Sequence, residues 1–229
     1  AILSSVGGIL PDAHPEKEGS DMLKVERSDV MNFENAIRGA RNPMNSWDRM
    51  DSYTDAEGNF ILGEKDLDLA LRLVRAGSDD RKFMRQILVC VDILAPLYWW
   101  KEFDTYKVAT VANSTSTMHK IHSKPFSRDD FSWDRLDEGG IAMLDSIISY
   151  LESERSRYME NREDRRSWHN MIQILPSSYN QLRTVTLNYE NLINMYYARR
   201  NHKLAEWHTL CDWILTLPYA DKLIAYRDE

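Results

Sequence analysis

Between Asn188 and His202 the chain sets Asn188, Asn191, Asn194, Arg199, Arg200, Asn201 and His202 among apolar residues at helical spacing. Asparagine is a poor interior helix former, because its amide competes for the backbone. A concentration of amides and guanidiniums here therefore implies a second use. Amides offer donors and acceptors to a planar ring, and guanidiniums grip phosphate with forked donors. Asn188 and Asn194 are six residues apart, and Asn194 and Arg199 five. At about 100° per residue these three fan across a broad face instead of forming one stripe. Asn188 falls at or before the first turn, where an amide caps well, and Asn191 can share its face.

A second polar run, "ANSTSTMHK", carries Asn113, Ser116, His119 and Lys120. It reads either as a hydroxyl-rich turn or as hydroxyl and N–H groups lining a phosphate site. No Ser-His-Asp arrangement that would activate Ser116 is found. His119 and His122 could share a helical face, but further zinc ligands at matching spacing are absent. Lys101, Lys107, His119, Lys120, Arg183 and Arg200 could line an anion pocket or be surface charges. Glu102 and Asp104 are the nearest carboxylates and could pair with Lys101 or Lys107.

The elements that must position these groups follow from periodicity. Residues 22–28 suggest a short strand. "SDVMNFENAIRGARN" suggests a helix capped by Ser28 or Asp29 and ending near Gly39. Residues 42–60 form a polar loop. A helix from about Glu64 to Ala76 shows Leu67, Ala70, Leu71 and Val74 on one face and ends at Gly77. A second helix is expected at once, with Phe83, Ile87, Val91 and Leu94 inward, Asp79 or Asp80 as cap, and its end at Pro96. Leu97–Val111, aromatic and β-branched, reads as one or two strands. Trp99, Trp100, Tyr98, Phe103 and Tyr106 are assigned to the core and to a subunit interface. A long helix spans about Ile141 to Asn161, a short one Ser167 to Leu175, and a last long one about Leu187 to Leu217. The fold class expected is α/β or α+β, mostly helical with a small mixed sheet. Residues 1–21 read as a mobile arm and 22–229 as one domain.

Of 229 residues, 43% are hydrophobic and 28% charged, a composition that supports a sizeable core. A net charge of −7 argues against a broad nucleic-acid surface. The apolar run "ILVCVDILAPLYWW" is broken by Asp92 and Pro96 and is too short for a membrane span. No secretory leader is read at the start. Cys90 and Cys211 are expected as buried free thiols in a reducing, cytoplasmic setting.

The C-terminal segment resembles the flavin-dependent thymidylate synthases. That family carries Leu-Pro, a turn, Thr-x-Asn, then a helix with an Asn and an Arg. Here the pattern reads Leu175-Pro176, Thr186-Leu187-Asn188, Asn194 and Arg199, with Ala205 and Trp207 following. The family's Gly-His…Glu-His segment is matched by Gly77 alone. Aligning Asn113 and Ser116 with its Asn and Ser places Tyr106-Lys107-Val108 at the Arg-His-Arg triplet. Met118 and Ile172 stand where two further arginines belong.

The resemblance implies cofactor binding by Asn188, Asn194 and Lys107, and nucleotide binding by Arg199, Ser116 and Asn113. It implies FAD, with NADPH and methylenetetrahydrofolate if the protein is active, and dUMP as acceptor, in a homotetramer. Lysine can replace a point charge but not a bidentate clamp. Two function classes follow: reductive methylation of a pyrimidine deoxynucleotide, or a repurposed nucleotide-binding or sequestering protein on the same scaffold. A third is a structural protein that keeps only the oligomeric scaffold.

Overall fold

The computed structural model describes residues 23–227. The arm expected over 1–21 lies outside them. Strand β1 (Lys24–Met31) enters helix α1 (Phe33–Ala40) through Asn32, which holds a left-handed φ of 70°. The cap is thus Asn32, not Ser28 or Asp29, because those two residues continue the strand. Residues 42–63 carry two 3₁₀ turns and the small hairpin β2 (Tyr53–Thr54) and β3 (Phe60–Ile61). This loop is pinned from inside. Asp66 is 1% exposed, and its carboxylate accepts from Arg41 Nε and from the Asp51 and Ser52 backbone N–H groups. Helix α2 (Glu64–Ala76) ends at Gly77, whose φ of 122° suits only glycine.

Strand β4 (Leu88–Pro96) replaces the second expected helix. Val89, Val91, Ile93 and Ala95 alternate inward at 0% exposure, so a period of two, not 3.6, governs the run. Helix α3 (Leu97–Phe103) follows, where strands were expected. Its Trp99, Trp100 and Phe103 do enter the core, with Trp99 4.8 Å from the Trp207 ring. Only β5 (Val111–Ser114) is extended in that region.

Helix α4 (Glu138–Glu160) and helix α5 (Arg165–Ile174) fall close to expectation. The last expected helix divides into helix α6 (Tyr189–Arg199) and helix α7 (Ala205–Leu215), followed by the short α8 (Ala220–Leu223), and its first two residues, Leu187 and Asn188, end strand β6 (Asn180–Asn188). The fold is thus mostly helical with one four-stranded sheet of order β1-β4-β6-β5, every pair antiparallel and not mixed.

One sheet face carries Val89, Val91, Ile93, Val185 and Leu187 into the main core. The other carries Cys90, Asp92, Leu94, Leu182 and Thr184, and Leu88 and Leu182 on it remain more than a third exposed. A second core gathers Leu144, Leu151 and Met171 of α4 and α5 with Ile121, Phe126 and Phe131. No described helix is long and apolar enough to cross a membrane.

Candidate functional site

β6 runs into α6 with no linker, and Asn188 is both the last strand residue and the N-cap. Its side chain accepts from Asn191 N–H at 3.0 Å, and the Asn191 side chain accepts from Asn188 N–H at 3.1 Å. This reciprocal box satisfies two of the helix's orphan donors. The spare Asn191 Nδ2–H donates to the Val108 carbonyl at 2.8 Å, which ties the 104–110 turn to the helix start. Lys107 sits exposed in that turn, and Asn194 is exposed on α6.

Arg199 lies in the last turn of α6, where a cation suits the helix dipole. Its Nε donates to Tyr106 Oη at 2.9 Å, its guanidinium lies 4.7 Å over Trp207, and Nη1 is 3.3 Å from Glu102 Oε2. The same Oε2 accepts from Trp207 Nε1 at 2.7 Å and lies 3.5 Å from His202 Nε2. His202 Nδ1 accepts from Leu204 N–H, which leaves Nε2 to carry the proton towards Glu102. The carboxylates therefore pair otherwise than expected. Glu102 takes Arg199, and Asp104 takes Arg183 at 2.8 Å, while Lys101 and Lys107 hold neither.

β5 links this shoulder to a second group of candidates. Asn113 faces outward in a row with Thr184 and Asp92, whose side chains are hydrogen-bonded at 2.6 Å. Beyond Ser114, Thr115 N–H still donates to Leu182, and Gln181 Nε2 donates to the Thr115 carbonyl at 2.7 Å. Ser116 Oγ then accepts from Met118 and His119 N–H, so a hydroxyl closes the turn.

This turn forms one wall of a cleft of about 340 Å³ lined by Ser116, Lys120, Lys124, Asp130, Tyr179 and Leu182. Lys124 is ion-paired with Asp130, which holds the ammonium above its ordinary value. Burial raises the Tyr179 phenol, whose ring meets Phe131 edge-on at 5.6 Å. His119 and His122 lie in turns, not on a helix, and no cluster able to hold a metal occurs among the described residues.

The six expected site residues thus divide. Asn188, Asn194, Lys107 and Arg199 belong to the α6 shoulder, Ser116 to the cleft, and Asn113 to the strand between them. Sequence reasoning missed Lys124, Asp130 and Tyr179, which lie in segments to which it assigned neither helix nor strand. It named Glu102 without its partner, since nothing local links it to Arg199 across 97 residues.

No protein-family model matches the chain, and no curated protein matches it. Solved structures do. Thymidylate synthase X from Helicobacter pylori, with FAD and dUMP, superposes at a TM-score of 0.66 and 16% identity, covering 88% of this chain and 97% of that one. A flavin-dependent thymidylate synthase structure from the same organism, complexed with FAD and dUMP, gives 0.64 at 16% identity and the same coverage. A UMP/dUMP methylase from Streptomyces cacaoi, bound with 5-Br dUMP, gives 0.59 at 12% identity, covering 88% and 90%. The chain has the fold that these structures share.

Proposed function

We propose that this chain, built on the fold of the flavin-dependent thymidylate synthases, binds a pyrimidine deoxynucleotide of the dUMP class in the cleft beside Ser116. The observation that carries the reading is the path of β5, which holds Asn113 on the sheet edge and leads on to Thr115 and Ser116 in the wall of that cleft. A volume of about 340 Å³ falls within the range of small-ligand sites. Ser116 and Lys120 supply the hydroxyl and cationic donors that a phosphate requires.

The flavin fits less well. FAD carries a pyrophosphate, and the cations near the α6 shoulder are largely committed: Arg199 to Glu102 and Arg183 to Asp104. Lys101 and Lys107 remain as exposed point charges without a forked grip, and the Asn188 amide oxygen is used in its cap. We therefore derive no chemical step through FAD, NADPH or methylenetetrahydrofolate on this chain alone. The Arg199–Glu102 pair favours the second reading, a nucleotide-binding or sequestering protein on the same scaffold. In either case self-association is proposed through the outer sheet face, where Leu88, Leu182 and Val111 stand exposed.

The test is thermal. dUMP at about a hundred times its Kd stabilises a one-site binder by about 2.7 kcal/mol, while deoxyuridine should do much less. Ser116→Asp keeps an acceptor for the turn but sets a carboxylate against the phosphate, and should erase the dUMP shift. No shift with millimolar dUMP, or an undiminished shift in S116D, refutes the cleft assignment. A yellow protein with a flavin spectrum would restore the catalytic reading.

A further inference from the structure

We propose that Lys120, His122 and Arg162 form a binding site for a phosphate group on the rim of the Ser116 cleft. Lys120, Ile121 and Ser123 line the cleft, while His122 turns towards α4, with its ring edge-on to Tyr158 at a centroid distance of 5.0 Å. The Arg162 guanidinium lies 5.3 Å over the same Tyr158 ring, so one tyrosine supports both the imidazole and a cation. The His122 Nδ1 atom is buried and has no hydrogen-bond partner. Buried ring nitrogens normally find one, so the orphan shows that the fold itself does not satisfy this imidazole.

The charges that act most on the ring are cationic. Burial, then Arg162, Lys120 and Arg155 in that order, hold the His122 imidazole below its ordinary value. Arg155 approaches the His122 carbonyl, but its charge is answered by Glu152 through three contacts of 2.7 to 3.0 Å. Glu152 also accepts from Phe126 N–H, so its carboxylate is engaged. No ion pair among the described residues answers Lys120 or Arg162, and both are exposed. A local positive group in a chain of net charge −7 calls for an anion. Two flexible cations and an imidazole that gains its proton as the anion arrives suit a phosphate. Because Lys120 faces the cleft as well, the phosphate can arrive free or as the end of a nucleotide.

The test follows the His122 ring signals by NMR in the full chain, identified by their loss in His122→Gln. Inorganic phosphate, dUMP and deoxyuridine are titrated in turn. Saturating phosphate should raise the His122 pKa by about one unit, a tenfold gain in proton affinity. Deoxyuridine should leave it unmoved. Lys120→Met with Arg162→Met, both at exposed positions, should weaken phosphate binding at least about tenfold. A His122 pKa indifferent to phosphate, or a double variant that binds phosphate as before, overturns the proposal. The two readings fail separately. If dUMP binds without moving His122, the rim site falls and the cleft assignment stands. If phosphate moves His122 but no nucleotide binds, the reverse holds.

Discussion

The ion pair beneath the start of α6 gives a quantitative prediction. Arg81 and Glu190 are joined by two bonds, Nε to Oε2 at 2.8 Å and Nη2 to Oε1 at 2.9 Å. Their side chains are 7% and 11% exposed, and Arg81 Nη1 also donates to Tyr226 Oη at 2.9 Å. Glu190→Gln keeps the shape but leaves a buried guanidinium without its counter-charge. Such a loss costs about 3–5 kcal/mol, and the lower end applies because glutamine's oxygen still accepts one bond. For a chain of this size each kcal/mol lowers Tm by about 2–4 °C, so the expected fall is about 6–12 °C. Far-UV circular dichroism on heating at pH 7 measures it. Arg81→Met with Glu190→Leu, which removes both charges, should stay within about 1 kcal/mol of the parent or exceed it. A fall below about 2 °C for E190Q, or a double variant as unstable as the single one, would refute the argument that the uncompensated charge is the cost.

Three further outcomes are expected. Asn188→Ala should cost about 1 kcal/mol through loss of the N-cap, with most of it recovered in Asn188→Asp; equal losses in the two variants would remove the capping role. Burial, aided by Asp212, pushes the Cys211 thiol up to about 12, so at pH 8 an alkylating reagent should label half-buried Cys90 first, as peptide mass spectrometry would read directly. The Arg155 hydrogen bond holds Glu152 below its ordinary 4.5. Its stabilising effect is therefore present above pH 4.5 and is lost as pH falls through the lowered folded value, so Glu152→Gln should flatten the acid limb of a Tm-against-pH curve.

Helix α2 and the first half of α4 were legible from one apolar face at helical period, and α2 and α5 also from the stops at Gly77 and Pro176. β4 was not. Phe83, Ile87, Val91 and Leu94 satisfy helical spacing, while Val89, Val91, Ile93 and Ala95 satisfy a strand, and only pairing with β1 and β6 decides between them. α3 misled through its aromatics, whose helical packing depends on Trp207, far along the chain. At the site, the Asn188 cap was readable because capping is local. The Arg199–Glu102 pair was not, because it rests on tertiary placement.

The direct join of β6 to α6 has a consequence for how such a chain can diverge. A strand reverses its faces with every residue, and a helix turns about 100°. Deleting a single residue between Gln181 and Asn188 would turn Val185 or Leu187 out of the core, or carry Asn191 and Arg199 away from Val108 and Glu102. Substitutions face no such geometric penalty. Length is therefore constrained here more tightly than residue identity, which suits a fold shared at only 12–16% identity.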